Sequence, residues 1–461
     1  MYHALPIGLT TLVIYLFTLT LSSTGFLDKQ SHRRFWNWVL LGAFLVAGLF
    51  GLFMALKITY KWNIPFSGQL LHWHVEAGIA MAFAAIIHLT WHLRYYFGKS
   101  KVPDAESERE ALAIQELNGN AIAKLLMLTG FASSAVQFIL MREAVILGGG
   151  TEASAGFFLW LWLIIAAAGA LTGKRSGIND LRKMMWTLIA GMALAPLFFL
   201  FMNRILLAPG ESPSVLKTLV IISVSVAPVT FISSFIFIRL SAIRQLESAI
   251  VPGNSFSTET AGSVAAGLLT TITVSLYISN YQLYIIILLL SVSLVVMLLD
   301  YHTSVRRAVL TGALLMVVVM LIFSPDPAIR SVLLRGVKAE KSTDTPYGNI
   351  TIGTYGGEHT VFYDHRPLFF SGDVIRAEEN IHYALLQREK YKKVIVISGG
   401  LMKHIEQLEK HDIDEVVYLE HDPGIIAAEG ARDTLAGRMT ISVRKSDPLS
   451  FVRRDSDAYD A

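Results

Sequence analysis

Long apolar runs fill the chain as far as Pro325, and shorter alternating or amphipathic patterns replace them from there to Ala461. The runs "PIGLTTLVIYLFTLTLSS", "WVLLGAFLVAGLFGLFMAL", "LFFLFMN", "TLVIISVSVAPVTFISSFIFI", "YQLYIIILLLSVSLVVMLL" and "AVLTGALLMVVVMLIF" reach, with their flanks, the roughly 20 apolar residues that cross a bilayer. The pattern predicts a polytopic α-helical membrane protein of about ten spans. Residues 1–100 hold about three of these, the third running through "LLHWHVEAGIAMAFAAIIHLTWHLRYYFG". Residues 101–120 read as a polar linker whose mixed charge is incompatible with lipid, and residues 121–324 as about seven further spans. Residues 325–461 have the polarity of a water-facing domain.

After Pro325 the period of the pattern changes. In "YGNITIGTYGGEHTVFYDHRPLFF" two β-rich runs flank Tyr355, Gly356, Gly357 and Glu358, which read as a hairpin turn, and a third short run ends at Phe370. A small β unit is expected there. "AEENIHYALLQRE" has helical spacing, "KVIVIS" reads as a buried strand, "LMKHIEQLEKH" is amphipathic and "EVVYLE" reads as a second strand. This alternation predicts a parallel, doubly wound sheet. In such a fold Gly399 and Gly400 form the turn at the carboxyl end of the first strand, where a side chain would block a bound nucleoside. Glu420, 20 residues beyond Gly400, ends the second strand within reach of both ribose hydroxyls. A Gly-Gly turn and a surface Glu of any α/β protein would read the same way, because "SGGLMKH" lacks spread glycines.

Composition places most of the protein in lipid: 461 residues, 53% hydrophobic and 16% charged, with a mean hydropathy of +0.51. A net charge of +3 is too slight to indicate nucleic acid, and the absence of cysteine excludes disulfides, thiolate metal sites and cysteine nucleophiles. No Lys or Arg precedes the first apolar run and no small-residue cleavage site follows it, so a removable signal peptide is not expected. The basic loops "DKQSHRR", "GKRSGINDLRKMM", "RLSAIRQ" and "DYHTSVRR" fall on one side of an even count of spans, and basic loops stay cytoplasmic. The N-terminus and the water-facing domain would then both be extracytoplasmic; an odd count would reverse this.

"TPYGNI", "LFFSGDVIRAEENIHYALL", "VIVISGG", "VVYLEHDPGII" and "ISVRKSDPLSF" stand in the order and spacing of the spermidine synthase family, which the last quarter or so of the chain resembles. "GFASSAVQFILMRE" resembles the first span of that family's membrane-embedded relatives, residents of the bacterial cytoplasmic membrane. The resemblance implies a small β unit followed by a methyltransferase-type Rossmann-like domain, and an adenosyl cofactor such as decarboxylated S-adenosylmethionine. It implies that Gly399 and Gly400 line that cofactor, Glu420 holds its ribose and Asp447 lies near its adenine. Tyr347, Asp373, Glu378, Glu379 and His382 fall where the family binds its polyamine. Departures accompany the match. Gly348 stands where the family has Gln, the Gly-rich loop is shortened, and the family's Asp-Glu pair is displaced to Glu378 and Glu379. "DAYDA" falls where the family's next strand begins, so the catalytic Asp expected beyond it has no counterpart. The expectation is a truncated Rossmann-like fold: either a truncated product or a remnant domain without aminopropyl transfer.

The third span carries a second signal. His74 and His92 are 18 residues apart and share a helix face, His88 and His92 are one turn apart, and His74 and His88 are separated by about 21 Å of rise. This spacing resembles transmembrane b-type cytochromes and implies b-haem ligands, with His72 beside His74 and with His3 and His32 as partners at the two levels. Such a protein would be an electron-transfer or assembly subunit docking on other membrane-complex subunits. The alternative is a boundary belt of histidines beside Trp73 and Trp91. Arg142 and Glu143 are expected to snorkel at a span end, and "LGGGTEASAG" is expected to be a flexible connection. A permease finds no internal repeat or paired broken helices in its favour.

Overall fold

Inside lipid every backbone N–H and C=O must be satisfied within its own segment, so apolar runs of this length have helix as their stable form. The computed structural model describes residues 2–61, 67–97, 119–248, 252–275, 278–299, 301–430, 434–454 and 459–460. The long helices are α1 (Ala4–Ser23), α2 (Lys29–Tyr60), α3 (Ser67–Phe97), α4 (Gly119–Leu147), α5 (Glu152–Arg175), α6 (Leu181–Leu206), α7 (Val215–Ser248), α8 (Pro252–Ser275), α9 (Asn280–Leu298) and α10 (Thr303–Ile322). Among the described residues 9 helices are long and apolar enough to cross a membrane. Helix α8 falls outside that set although its 24 residues rise about 36 Å. Most of the polar linker expected at 101–120 lies outside the described residues.

Glycines set how closely the helices approach. Gly262 of α8 lies against the Met127 carbonyl of α4, and Gly130 of α4 against the Glu259 carbonyl of α8, so neither position has room for a Cβ. Gly169 and Gly173 of α5 make the same approach to Phe231 and Phe235 of α7. Small residues at a crossing let backbones pack where no hydrophobic drive separates protein from lipid. The buried centre between these helices includes Leu125, Met185, Leu188, Val229 and Ile287. Helices α1 to α3 form a trio of their own that touches the rest through α2 with α5 and α3 with α8. No residue of α1 is buried.

The water-facing part starts with α11 (Asp326–Leu333), close to the expected boundary, and continues as β1 (Val337–Asp344), β2 (Asn349–Tyr355), β3 (Glu358–Tyr363) and β4 (Arg366–Phe370). These form an antiparallel sheet in chain order. The expected hairpin is present: Gly356 and Gly357 have φ of 59° and 88°, the pair of positive values that a two-residue turn compatible with strand twist requires. Then come α12 (Val374–Leu385), β5 (Lys393–Ile397), α13 (Met402–Leu408), β6 (Glu415–Glu420), α14 (Pro423–Glu429), β7 (Thr434–Ala436), β8 (Met439–Lys445) and α15 (Pro448–Arg454). The second sheet has the order β5-β6-β8-β7, with β5, β6 and β8 parallel and β7 antiparallel to β8. The predicted β-α-β alternation is therefore present, with a hairpin on its far edge that the pattern did not signal.

Glu143 does not snorkel. It is fully buried near the end of α4, and Arg330 of α11, equally buried, donates to both its oxygens at 2.7 and 2.8 Å. Asn280 Nδ2 and Tyr281 OH complete the carboxylate's partners at 2.7 and 3.1 Å. The α9 N-terminus enters the same cluster: Asp344 of β1 accepts from the Asn280 amide at 2.8 Å, and Asp326 of α11 accepts from the Gln282 amide at 3.1 Å. A helix start has unpaired N–H groups and a partial positive charge, so carboxylates of the water-facing part cap a membrane helix. Arg142 reaches Asn280 Oδ1 and the Thr345 carbonyl at 3.0 and 2.8 Å. Burial alone would pull the Arg330 guanidinium down, but Glu143 and Asp344 outweigh it and keep the group charged. His365, in the β3–β4 turn, is lowered to about 3 by burial and by Arg330, so it is a neutral acceptor for Arg330 Nη1 at 3.0 Å. The "LGGG" segment is an ordered helix end: Gly149 and Gly150 are left-handed, their amides close on α4 carbonyls, and Arg366 lies against Gly149.

Replacing Glu143 by Ala leaves the buried Arg330 without its hydrogen-bonded carboxylate, with Asp344 at 3.8 Å as its remaining counter-charge, so thermal unfolding in detergent should show a loss of about 3–5 kcal/mol. The double variant Glu143→Leu, Arg330→Met should recover most of it, and a Glu143→Ala protein that melts with the wild type would refute the ion pair as the fastening.

Candidate functional site

Parallel strands leave their carboxyl ends facing one side, and in open α/β sheets ligands bind there. The registers Ile397 with Leu419 and Glu420 with Lys445 bring the ends of β5, β6 and β8 level. Gly399 and Gly400 follow β5, Glu420 ends β6, and Asp447 lies just past β8. The predicted nucleoside-side residues therefore share one edge of the sheet.

The turn after β5 is tight. Ser398, Gly399 and Gly400 have φ of 53°, 82° and 94°, a left-handed run that only glycine adopts without cost. The two glycines differ in surroundings. A Cβ on Gly399 would meet nothing within 4 Å, whereas one on Gly400 would lie 2.9 Å from Phe369 of β4 and 2.9 Å from Glu429 of α14. Open space therefore stands at Gly399. Ser398 Oγ donates to Glu420 Oε2 at 2.7 Å, Tyr418 OH donates to the same oxygen at 3.0 Å, and the Asp422 amide donates to Oε1 at 3.1 Å. The Glu420 carboxylate is thus oriented, and Oε1 retains acceptor capacity. Asp447 is exposed and caps α15 by accepting from the Ser450 amide at 2.7 Å.

The predicted polyamine-side residues are divided. Tyr347 is half exposed and its ring meets the His421 ring edge-on at 4.3 Å, above the end of β6. Asp373, at the start of α12, is buried and faces Lys403 Nζ at 3.5 Å and Arg376 Nε at 3.7 Å. Glu378 lies 3.8 Å from Lys410, and Glu379 is exposed on the helix surface. His382 belongs elsewhere: its Nδ1 is 2.7 Å from His411 Nε2, and Tyr391 OH is 2.6 Å from His411 Nδ1, at the opposite end of the sheet. Because α12 runs back along β5, its two ends serve opposite ends of the sheet. Gly348 has a local reason to be glycine. A Cβ there would come within 2.8 Å of Asp364 Oδ1 and of the Tyr363 hydroxyl.

Sequence reasoning missed Glu429 and Asp422. Glu429 Oε2 accepts from the Leu401 amide at 2.8 Å, tying α14 to the glycine turn, while Oε1 is buried with no partner among the described residues. Burial pushes its carboxyl up to about 7 against the pull of the Leu401 and Met402 amides. Asp422 caps α14 through the Gly424 amide at 2.8 Å and accepts from Thr345 Oγ1 at 2.6 Å, joining the two sheets. The Asp-Pro pair at 422–423 is a readable helix-start signal. A cavity of about 390 Å³ runs along β5 to Gly399, between Ile381 and Ala384 of α12 and His404 of α13. A second, of about 600 Å³, lies where the water-facing part meets the bundle and contains none of the predicted residues.

In the first section His74 Nδ1 is 2.8 Å from the Ala47 carbonyl, and its ring occupies the space that Gly51 leaves on α2. His88 Nδ1 is 3.0 Å from Asn37 Oδ1. His72 is turned toward α1 instead, its ring stacked on Tyr2. The side chain of His92 lies outside the described residues. The contacts of His74 and His88 are those of histidines bridging two packed helices. No family model matches the chain, and neither the curated proteins nor the solved structures give a significant match.

Glu429 has a raised pKa in the folded state, so its contribution to stability is complete below about pH 4.5 and is lost as pH rises toward 7. Glu429→Gln should remove that dependence. The difference in melting between wild type and variant should grow across this window to at most about 3 kcal/mol, and a constant difference from pH 4.5 to 7.5 would count against the assignment.

Proposed function

We propose that the protein is a membrane-tethered nucleoside-binding module whose water-facing part holds an adenosyl compound, decarboxylated S-adenosylmethionine or a relative of it. The observation that carries this reading is the shared strand-end edge: an open turn at Gly399, an oriented carboxylate at Glu420, and Asp447 just past the third parallel strand. Glu420 takes a ribose hydroxyl at Oε1, Gly399 lets the sugar approach the backbone, and Asp447 borders the base. The polyamine half of the resemblance has less behind it, since Asp373 and Glu378 already face protein cations. The function is therefore binding, with no residue assigned to group transfer. Helix α8 runs beside α4 in the same direction, Gly130 against Glu259 and Phe138 against Gly267, and counting it as a tenth crossing puts the water-facing part at the end of the bundle opposite the basic loops. Positive loops face the cytoplasm, so this reading places the nucleoside site in the extracytoplasmic space of a bacterial membrane.

Calorimetry on the full chain in detergent should detect the adenosyl compound, and Glu420→Gln, which keeps the side chain's length, should weaken binding at least about tenfold. Unchanged affinity would end the ribose role. Because the chain has no cysteine, a single Glu379→Cys should react with an impermeant maleimide on intact spheroplasts, and Lys174→Cys only after permeabilisation; the reverse pattern would invert the orientation.

A further inference from the structure

Two imidazoles and a carboxylate converge where α1 begins and α3 has completed its first turns. His72 and Glu76 are one turn apart on α3 and so share a face; His3 arrives from the residue before α1. His3 Nδ1 is 2.9 Å and His72 Nε2 is 3.4 Å from Glu76 Oε1, and one ligating atom from each of the three lies within 4.8 Å of the others. The His3 amide donates to the same carboxylate oxygen at 3.1 Å.

We infer that His3, His72 and Glu76 form a binding site for a divalent transition-metal ion of the zinc class. Three arguments support it. The first is distance: a tetrahedral ion with bonds of about 2.0–2.1 Å holds its ligands roughly 3.3 Å apart, and 2.9 and 3.4 Å lie on either side of that value. The second is charge. The Glu76 side chain is 10% exposed within the span Gly68–Trp91, where a carboxylate is costly, and a bound dication would cancel its charge. The third is donor type: two imidazole nitrogens and one carboxylate suit zinc, cobalt or nickel and disfavour calcium and magnesium, which take oxygen ligands. With no cysteine in the chain, no thiolate competes for the ion. The Tyr2 ring stacks on His72 at 5.6 Å and 18°, which fixes the imidazole plane. Three protein ligands leave the fourth position to water.

The site gives α1 a fastening that packing does not. With no buried residue of its own, α1 is held by contacts to α2 and α3, and an ion shared by His3 and His72 clips its first turn to α3.

The test uses the full chain, purified without a histidine tag, stripped of metal and held in detergent. Titration with Zn²⁺ should give one ion per chain by elemental analysis, while Ca²⁺ and Mg²⁺ give none. His3→Ala lies outside every helix and spares the fold; it and His72→Ala should each weaken Zn²⁺ binding by more than about 100-fold, beyond what loss of an outer-shell partner costs. Zn²⁺ should also protect α1 from proteolysis in the wild type and not in either variant. Absence of stoichiometric Zn²⁺, or wild-type affinity in either His3→Ala or His72→Ala, would overturn the site. So would loosening of α1 in the variants without any metal binding by the wild type, which would mark a hydrogen-bonded latch. Adenosyl binding is measured separately and bears on neither outcome.

Discussion

The fold depends on one charge pair taken out of water. Glu143 and Arg330 are both without solvent exposure, and a carboxylate or guanidinium in that position is tolerable only with its partner and a full set of hydrogen bonds. The pair therefore fixes geometry on both sides at once. It holds α11 against α4, and through Asn280, Asp344 and Asp326 it brings the start of α9 under carboxylates that belong to the water-facing part. Arg335 extends the seam by donating to the last carbonyls of α6. The two halves of the chain meet as a polar, interlocked surface, with Asp422 and Thr345 carrying the constraint onward to the sheet that holds the candidate site.

Much of the bundle could be read from the chain because lipid imposes one dominant rule, that an apolar run of sufficient length becomes a helix. Helix α8 is the exception that explains itself. It packs Gly262, Ser263 and Gly267 against α4, so its sequence lost the apolar excess that marks the others. The hairpin at Gly356 and Gly357 was legible because its backbone angles demand glycine. Strand β1, "VKAEKSTD", was not, since an edge strand with one wet face carries charges that mask any alternation.

The candidate site was legible in part for a related reason. Gly399, Gly400, Glu420 and Asp447 sit at strand ends, where position along the chain converts directly into position in space. Residues on α12 carry no such guarantee: with the helix folded back along β5, Asp373 lies near the strand ends and His382 at the far end, although only nine positions separate them. Glu429 could not be found from sequence, since its role as a cap for the residues after the glycine turn exists only once α14 packs beside it. The partner of Glu143 was equally hidden, lying 187 residues further along.

That separation has a consequence for how the protein is made. At a synthesis rate of about 5–20 residues per second, Glu143 is committed to the membrane some 10–40 s before Arg330 leaves the ribosome, since 187 residues lie between them. During that interval α4 holds a carboxylate whose final counter-charge does not yet exist, and Asn280 arrives only partway through. The bundle consequently cannot reach its finished packing helix by helix in order of emergence. Its last step waits for the segment after α10, which makes the water-facing part the keystone of membrane assembly as well as the bearer of the candidate site.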